Sequence, residues 1–522
     1  MKKVCIYSNV GHFIELYEIQ LEIAQRHLDN GDSVEFLFCD GLIPICEINL
    51  NKEIDICLHC ISRRNQGLKL LKGKFKKREL LFYSAISDIN KIRNIPKHYR
   101  DIKALTRLKI NNFEIGKAVY SSIADIKREH EPNLRFYEKQ VSNFIISSSR
   151  IYFCMNRYIK KNLPEIVYVY NGRHALEQPV IASCKENKVE FITHEFATNG
   201  GYRLCKNTQP QDYNKRVREI KNFIKSDISK SQYEEGITYF EKKVGSRSGN
   251  ITLVRKKNEC KIIENKWNKL DGIKKRKVLP DNWDPNKYNI VIFTSSELEK
   301  KVVNQYTHKK IYKNQINAIS HITNTAKNLD SNIHFYIKLH PSYKFWDNNP
   351  QEYKNIVNLE IPSNSSFIFP ESQIDNYFLI NNSSKVVCFR STAGVESSYF
   401  GKPTIFLEDH IIAKLSSVYY PYDKSNAIKL ILDKNLPPLP KTDAIKYGSY
   451  HMSEGILPKY YHRDPNIPYE HNWGLYRGRK VIPSALTLLF INRFIHNQKL
   501  LFIIRKIQSL EKTIYKILYK FH

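Results

Sequence analysis

No apolar run in this 522-residue chain reaches the roughly 18 uncharged residues that a membrane-spanning helix needs. The nearest, Val481 to Phe490, is too short and is soon followed by Asn492 and Arg493, so any membrane contact is expected to be peripheral. The opening Met1-Lys-Lys-Val-Cys-Ile-Tyr-Ser8 has no long apolar region of the secretion-signal kind and reads as a short strand. The ten cysteines are unevenly spaced and match no disulfide framework, which points to a cytoplasmic protein. Acidic residues are scarce, with 52 Asp and Glu against 83 Lys and Arg and a formal charge of +31. Zinc-finger, RNP and helix-turn-helix patterns are missing, and lysine is spread along the whole chain instead of forming one tail. That combination argues against a nucleic-acid partner and for a general attraction to anionic lipid.

What is present is ample apolar material, 42% hydrophobic and 12% aromatic, in a chain too long for one ordinary core. The patterning is α/β. Lys3 to Tyr7 reads as a strand, Ser8-Asn-Val-Gly11-His12 as a turn, and Phe13 to Asn30 as a helix with Leu16, Ile19, Ile23, Ala24 and Leu28 at helical spacing. Gly31 then turns the chain into a strand from Ser33 to Cys39. Residues 64 to 165 are rich in Lys and Arg and mostly helical in pattern. A second unit of the same kind runs from Glu165 to Tyr170, through the turn Asn171-Gly172-Arg173 and a helix to about Asn187, into Val189 to His194, with Gly200-Gly201 as a flexible loop. The polar stretch 209–284 suggests a helical insertion or linker, with Lys274-Lys-Arg-Lys277 near its end. The division expected is therefore 1–208, 209–284, 285–485 and a C-terminal helix over 486–522.

The most informative stretch is Ile333 to Glu408. His334 to Leu339 reads as a buried strand stopped by Pro341, which places Lys338 and His340 at its carboxyl end. Lys385 to Phe389 is a second strand that runs into Arg390-Ser391-Thr392-Ala393-Gly394-Val395-Glu396, a turn into a helix that Gly401-Lys402-Pro403 ends before the strand Thr404 to Glu408. The first amides of a helix starting near Thr392, the hydroxyls of Ser391 and Thr392 and the charge of Arg390 suit a phosphate. Glu396, one turn in, suits two ribose hydroxyls. Tyr288 to Phe293 reads as another buried strand whose turn, Thr294-Ser295-Ser296, would add hydroxyls and amides to the same pocket.

The pair Lys338-Leu-His340-Pro341 and Arg390-Ser-Thr-Ala-Gly394-Val-Glu396, followed by Gly401-Lys-Pro403, resembles the donor half of bacterial capsule and lipopolysaccharide glycosyltransferases of the GT-B type that carry an HP motif. The resemblance implies two Rossmann-like domains facing a central cleft, with an acceptor saccharide or lipid-linked saccharide on the first and a nucleotide-sugar on the second. It implies that Ser295, Lys338, His340, Arg390, Ser391, Thr392, Gly394 and Glu396 hold the donor. In many such enzymes a Gly-His turn after the first strand faces the cleft, which makes His12 a candidate base. Asp40, after the second strand, and Glu195 are the other two. No Asp-x-Asp of metal-dependent transferases stands at a strand end, so neither metal nor other cofactor is expected. A teichoic-acid type transferase of CDP-linked polyol phosphates shares the HP motif and fold and stays open, as does, from another class, a basic nucleic-acid-binding protein.

Three features lie outside this scheme. Cys39, Cys46, Cys57 and Cys60 fall within twenty-two residues, and Cys57-x-x-Cys60 fits half of a structural zinc site, although the wider spacing breaks the usual pattern. Arg173 could contact an anionic group. Finally, Leu500, Ile503, Ile507, Leu510, Ile514, Ile517 and Phe521 form an apolar helical stripe backed by Arg505, Lys506, Lys512, Lys516 and Lys520, which fits an anionic membrane surface, interdomain packing or a coiled coil.

Overall fold

The computed structural model describes residues 1–484 except 40, 128, 130, 246–277, 297–310, 342, 344–350 and 463–474. The basic cluster at Lys274–Lys277 and the C-terminal stripe lie outside the described residues. The chain is α/β and divides into two compact units. Of the described residues, one comprises Met1–Lys127, Glu131–Pro210 and those from Ile456 to Ser484, and the other is essentially Gln211–Gly455.

The first unit is built on a six-stranded sheet in the order β3-β2-β1-β4-β5-β6, where β1 is Lys3–Ser8, β2 Ser33–Phe38, β3 Phe75–Glu79, β4 Ile166–Tyr170, β5 Glu190–Phe196 and β6 Tyr202–Lys206. All pairs are parallel except β5 with β6. Val4 to Tyr7 are buried on both faces, as the centre of a helix-covered parallel sheet requires. Helix α1 (Leu16–Asp29) follows β1, and α2 (Ile54–Leu68) follows β2. Two expectations are corrected here. Phe75-Lys-Lys-Arg-Glu79 is a strand, because it pairs with β2 at a sheet edge, where exposed lysines are tolerated. Gly200-Gly201 is the turn of the β5–β6 hairpin, with Gly200 at φ +86°. A Cβ on Gly201 would sit 2.3 Å from the Ile456 carbonyl oxygen, and this close approach lets Tyr202 and Ile456 exchange backbone hydrogen bonds of 3.1 and 2.7 Å.

The second unit carries a five-stranded, all-parallel sheet in the order β11-β10-β7-β8-β9. Its strands are β7 (Tyr288–Phe293), β8 (Ile333–Lys338), β9 (Ser365–Ile368), β10 (Lys385–Cys388) and β11 (Thr404–Phe406). The helices Tyr213–Lys225 and Lys230–Gly245 contribute Ile220, Tyr239 and Phe240 to the core formed by Val291, Tyr336, Val386 and Phe406. Both units are therefore Rossmann-like layers of helix on parallel sheet. Among the described residues no helix is long and apolar enough to cross a membrane.

Candidate functional site

In the second sheet, Phe406, Cys388, Phe293, Lys338 and Ile368 stand opposite one another in a single row, one from each strand. Everything that follows this row emerges from the same carboxyl edge: Thr294-Ser295 after β7, Leu339-His340 after β8, Phe389-Arg390-Ser391 after β10. The chain steps from β7 to β8 to β9 in one direction, then crosses back so that β10 and β11 lie on the other side of β7. The loops leaving β7 and β10 diverge, and the gap between them is where open α/β sheets bind ligands. Arg390 and His340 end strands separated only by β7, so their backbones are about 10 Å apart at the usual strand spacing.

The local chemistry is specific. Gln315 holds Ser295 at both backbone groups, accepting its amide at 2.8 Å and donating to its carbonyl at 2.6 Å, and donates at 3.0 Å to Glu352. The Ser295 amide is thus engaged and unavailable to a ligand. Thr294 donates its amide and its hydroxyl to the Lys338 carbonyl at 3.1 and 3.2 Å, which locks the ends of β7 and β8 together. The helix after β10 spans Ala393–Tyr399. Ser391 accepts the Ala393 amide at its hydroxyl, 3.2 Å, and the Gly394 amide at its carbonyl, 3.2 Å, so two of the amides near that helix start are already engaged. Thr392 is exposed, Arg390 half-buried and Glu396 only 7% exposed. Gly394 serves packing instead of turn-making: a Cβ there would lie 2.2 Å from Phe406 Cε2. Lys338 is buried, and burial lowers the half-buried His340 imidazole to about 4, so it is neutral near pH 7.

In the first unit His12 follows β1 and is 8% exposed, its ring centroid 4.9 Å from that of His59 on α2. Asp40 lies outside the described residues. Glu195, on β5, accepts from Asn171 Nδ2 at 2.6 Å and from the Phe196 amide at 3.1 Å, and burial raises its carboxyl. Arg173, weighed above as a contact for an anionic group, pairs with Asp125 at 3.3 Å. Asn9, His174 and Glu177, which sequence reasoning passed over, stand on the loops after β1 and β4. The turns Ser8-Asn-Val-Gly11-His12 and Asn171-Gly172-Arg173 were the signals nearest to them. Cys39, Cys46, Cys57 and Cys60 form no disulfide, and among the described residues no group of three or more His, Cys, Asp or Glu is arranged to hold a metal ion.

No family model and no curated protein matches the chain. Solved structures do. The fold is similar to glycosyltransferases and sugar-nucleotide epimerases. KpsC of Thermosulfurimonas dismutans, a beta Kdo 2,4 transferase, aligns over 55% of this chain and 79% of its own at 8% identity and a TM-score of 0.33. The UDP-GlcNAc 2-epimerase of Neisseria meningitidis aligns over 87% and 99% at 13% identity and a TM-score of 0.28. The glycosyltransferase SnogD of Streptomyces nogalater aligns over 88% and 97% at 10% identity and a TM-score of 0.25.

Proposed function

We propose that this chain is a glycosyltransferase that moves a sugar from a nucleotide-activated donor to a growing cell-surface polysaccharide, capsule or O-antigen, at the inner face of the plasma membrane. The observation that carries the reading is the common row at the carboxyl edge of the second sheet, after which Ser295, His340 and Arg390 to Thr392 emerge beside a topological switch point. There, Arg390 and the hydroxyls of Ser391 and Thr392 meet the donor's phosphates, Lys338 adds positive charge, and the neutral His340 donates a hydrogen bond. Glu396 takes the ribose hydroxyls, and Gly394 brings the helix close to the sheet. Fixed donors aimed at the charge developing on a departing nucleotide lower the barrier to its release. The first unit holds the acceptor, and His12, Asp40 or Glu195 takes its hydroxyl proton. The raised carboxyl of Glu195 suits a proton acceptor at neutral pH.

A thermal-shift panel of UDP, GDP, CMP and CDP tests this. One nucleotide should stabilise the parent chain and lose that effect in both His340→Ala and Glu396→Ala. Identical shifts in parent and variants would remove these residues from the site, and no shift with any nucleotide would remove the donor reading.

A further inference from the structure

In the first sheet β1 leads to β2 and β3 on one side, while β4, on the other side of β1, leads away to β5. The loops after β1 and β4 therefore diverge, and this second switch point is lined by polar atoms. Asn9, on the first loop, donates its Nδ2 to Glu177 Oε1 on the second, tying the two together. Asn9 Oδ1, Glu177 Oε2, Asn171 Oδ1 and Arg173 Nε are all buried without a hydrogen-bond partner, and Glu177 as a whole is only 3% exposed. The Tyr170 hydroxyl feels the fields of Glu195, Glu177, Arg173 and Asp125 together, which places these groups around one spot. Asp125 steadies the array from the helix Ile115–Lys127, with one oxygen 3.3 Å from Arg173 and the other 3.4 Å from His174, whose second nitrogen is 3.9 Å from Glu177 Oε2.

A buried polar atom left dry is costly, and four on these two diverging loops mark a place built for a polar occupant. Their chemistry selects among occupants. The amide oxygens of Asn9 and Asn171 only accept and Arg173 Nε only donates, while burial raises the Glu177 carboxyl so that its Oε2 can carry a proton and donate. A phosphate or carboxylate would face the two amide oxygens, whereas hydroxyls both give and receive. We infer that the place between the loops after β1 and β4 binds the hydroxyls of an uncharged saccharide, with Asn9 and Asn171 accepting and Arg173 and Glu177 donating. The inference rests on the reading that the first unit takes the acceptor, and it names the residues that do so.

The full chain is probed with an immobilised panel of neutral and anionic bacterial oligosaccharides, in parallel with the nucleotide thermal shifts. The parent should retain at least one neutral oligosaccharide. Glu177→Ala, which removes both oxygens, and separately Arg173→Lys, which keeps the charge on a partly exposed side chain, should each weaken retention by about tenfold or more, the loss of a hydrogen bond to a buried group. The nucleotide response should stay as in the parent. Retention within about twofold in both variants, a preference for anionic oligosaccharides, or none retained by the parent would overturn the inference. A parent that holds a neutral oligosaccharide but answers to no nucleotide would sustain this site and sink the donor reading alone.

Discussion

The carboxylate of Glu22, in the middle of α1, accepts the backbone amide of Lys459 at 2.8 Å, across 437 residues of sequence. Its other oxygen accepts the amides of Tyr460 and Tyr461 at 2.7 and 3.2 Å, and Arg26 donates to the first oxygen at 2.7 Å. This buried side chain joins the Tyr202–Ile456 backbone pair in fastening the segment after Ile456 onto the first unit.

Glu22→Ala should therefore lower stability by about 3 kcal/mol, since several hydrogen bonds to a charged group are lost and the amide of the buried Tyr461 is left without its acceptor. In thermal unfolding this corresponds to a fall in Tm of roughly 6 °C or more. Glu22→Gln, which keeps one acceptor oxygen, should lose less. Parent-like Tm values for both would show that the fastening is incidental.

Arg63 is the matching case on α2. It is fully buried, ion-paired with the equally buried Glu18, and donates to the carbonyls of Gly11 at 2.8 Å, Phe13 at 3.0 Å and Val481 at 2.8 Å. Burial pushes the Glu18 carboxyl upward against the opposing pull of Arg63. Arg63→Met should cost roughly 3–5 kcal/mol, because it strands a buried charge, and adding Glu18→Leu should recover part of that loss. Urea unfolding of the two singles and the double closes the cycle. A double variant as unstable as the sum of the singles would show that the pair is not coupled.

Gly394→Ala places a methyl 2.2 and 2.4 Å from two ring carbons of Phe406. The helix must shift off β11, at a cost of about 1–3 kcal/mol. Adding Phe406→Leu should restore part of the stability in a melting experiment. Full tolerance of the single change would mean that the helix is not pinned there.

Acid should act through buried imidazoles. Burial lowers His340 to about 4 and His194 to about 3, from an ordinary 6.5. Below pH 6.5 the unfolded chain takes up protons that the folded chain refuses. Their contribution is intact above about pH 6.5 and is lost as pH falls toward 4 for His340 and 3 for His194. Urea unfolding between pH 7 and pH 4.5 should give a steep decline in stability that is shallower in His194→Gln, by up to about 1.4 kcal/mol per pH unit. Equal slopes would contradict it.

The strands at the heart of both sheets were legible because their residues are apolar on both faces. Tyr288–Phe293 and the first βαβ unit fall where the pattern puts them. Phe75–Glu79 was not legible, since three of its five residues are Lys or Arg and only the partner strand β2 makes it extended. The proposed site divides in the same way. His340 and Arg390 announce themselves by ending apolar runs at proline or at small residues. Asn9 and Glu177 do not, because each is an ordinary loop residue until the strand order brings β1 beside β4.

The sequence by itself determined which segments become strands and helices, because burial on two faces or one writes a local period into the chain. The order of the strands, the opposing loops at each switch point and the return of the segment after Ile456 to α1 were decided only in the tertiary structure. These depend on which buried amides, carbonyls and carboxylates find one another across hundreds of residues, and a hydrogen bond such as that of Glu22 with Lys459 leaves no periodic trace in the residues between.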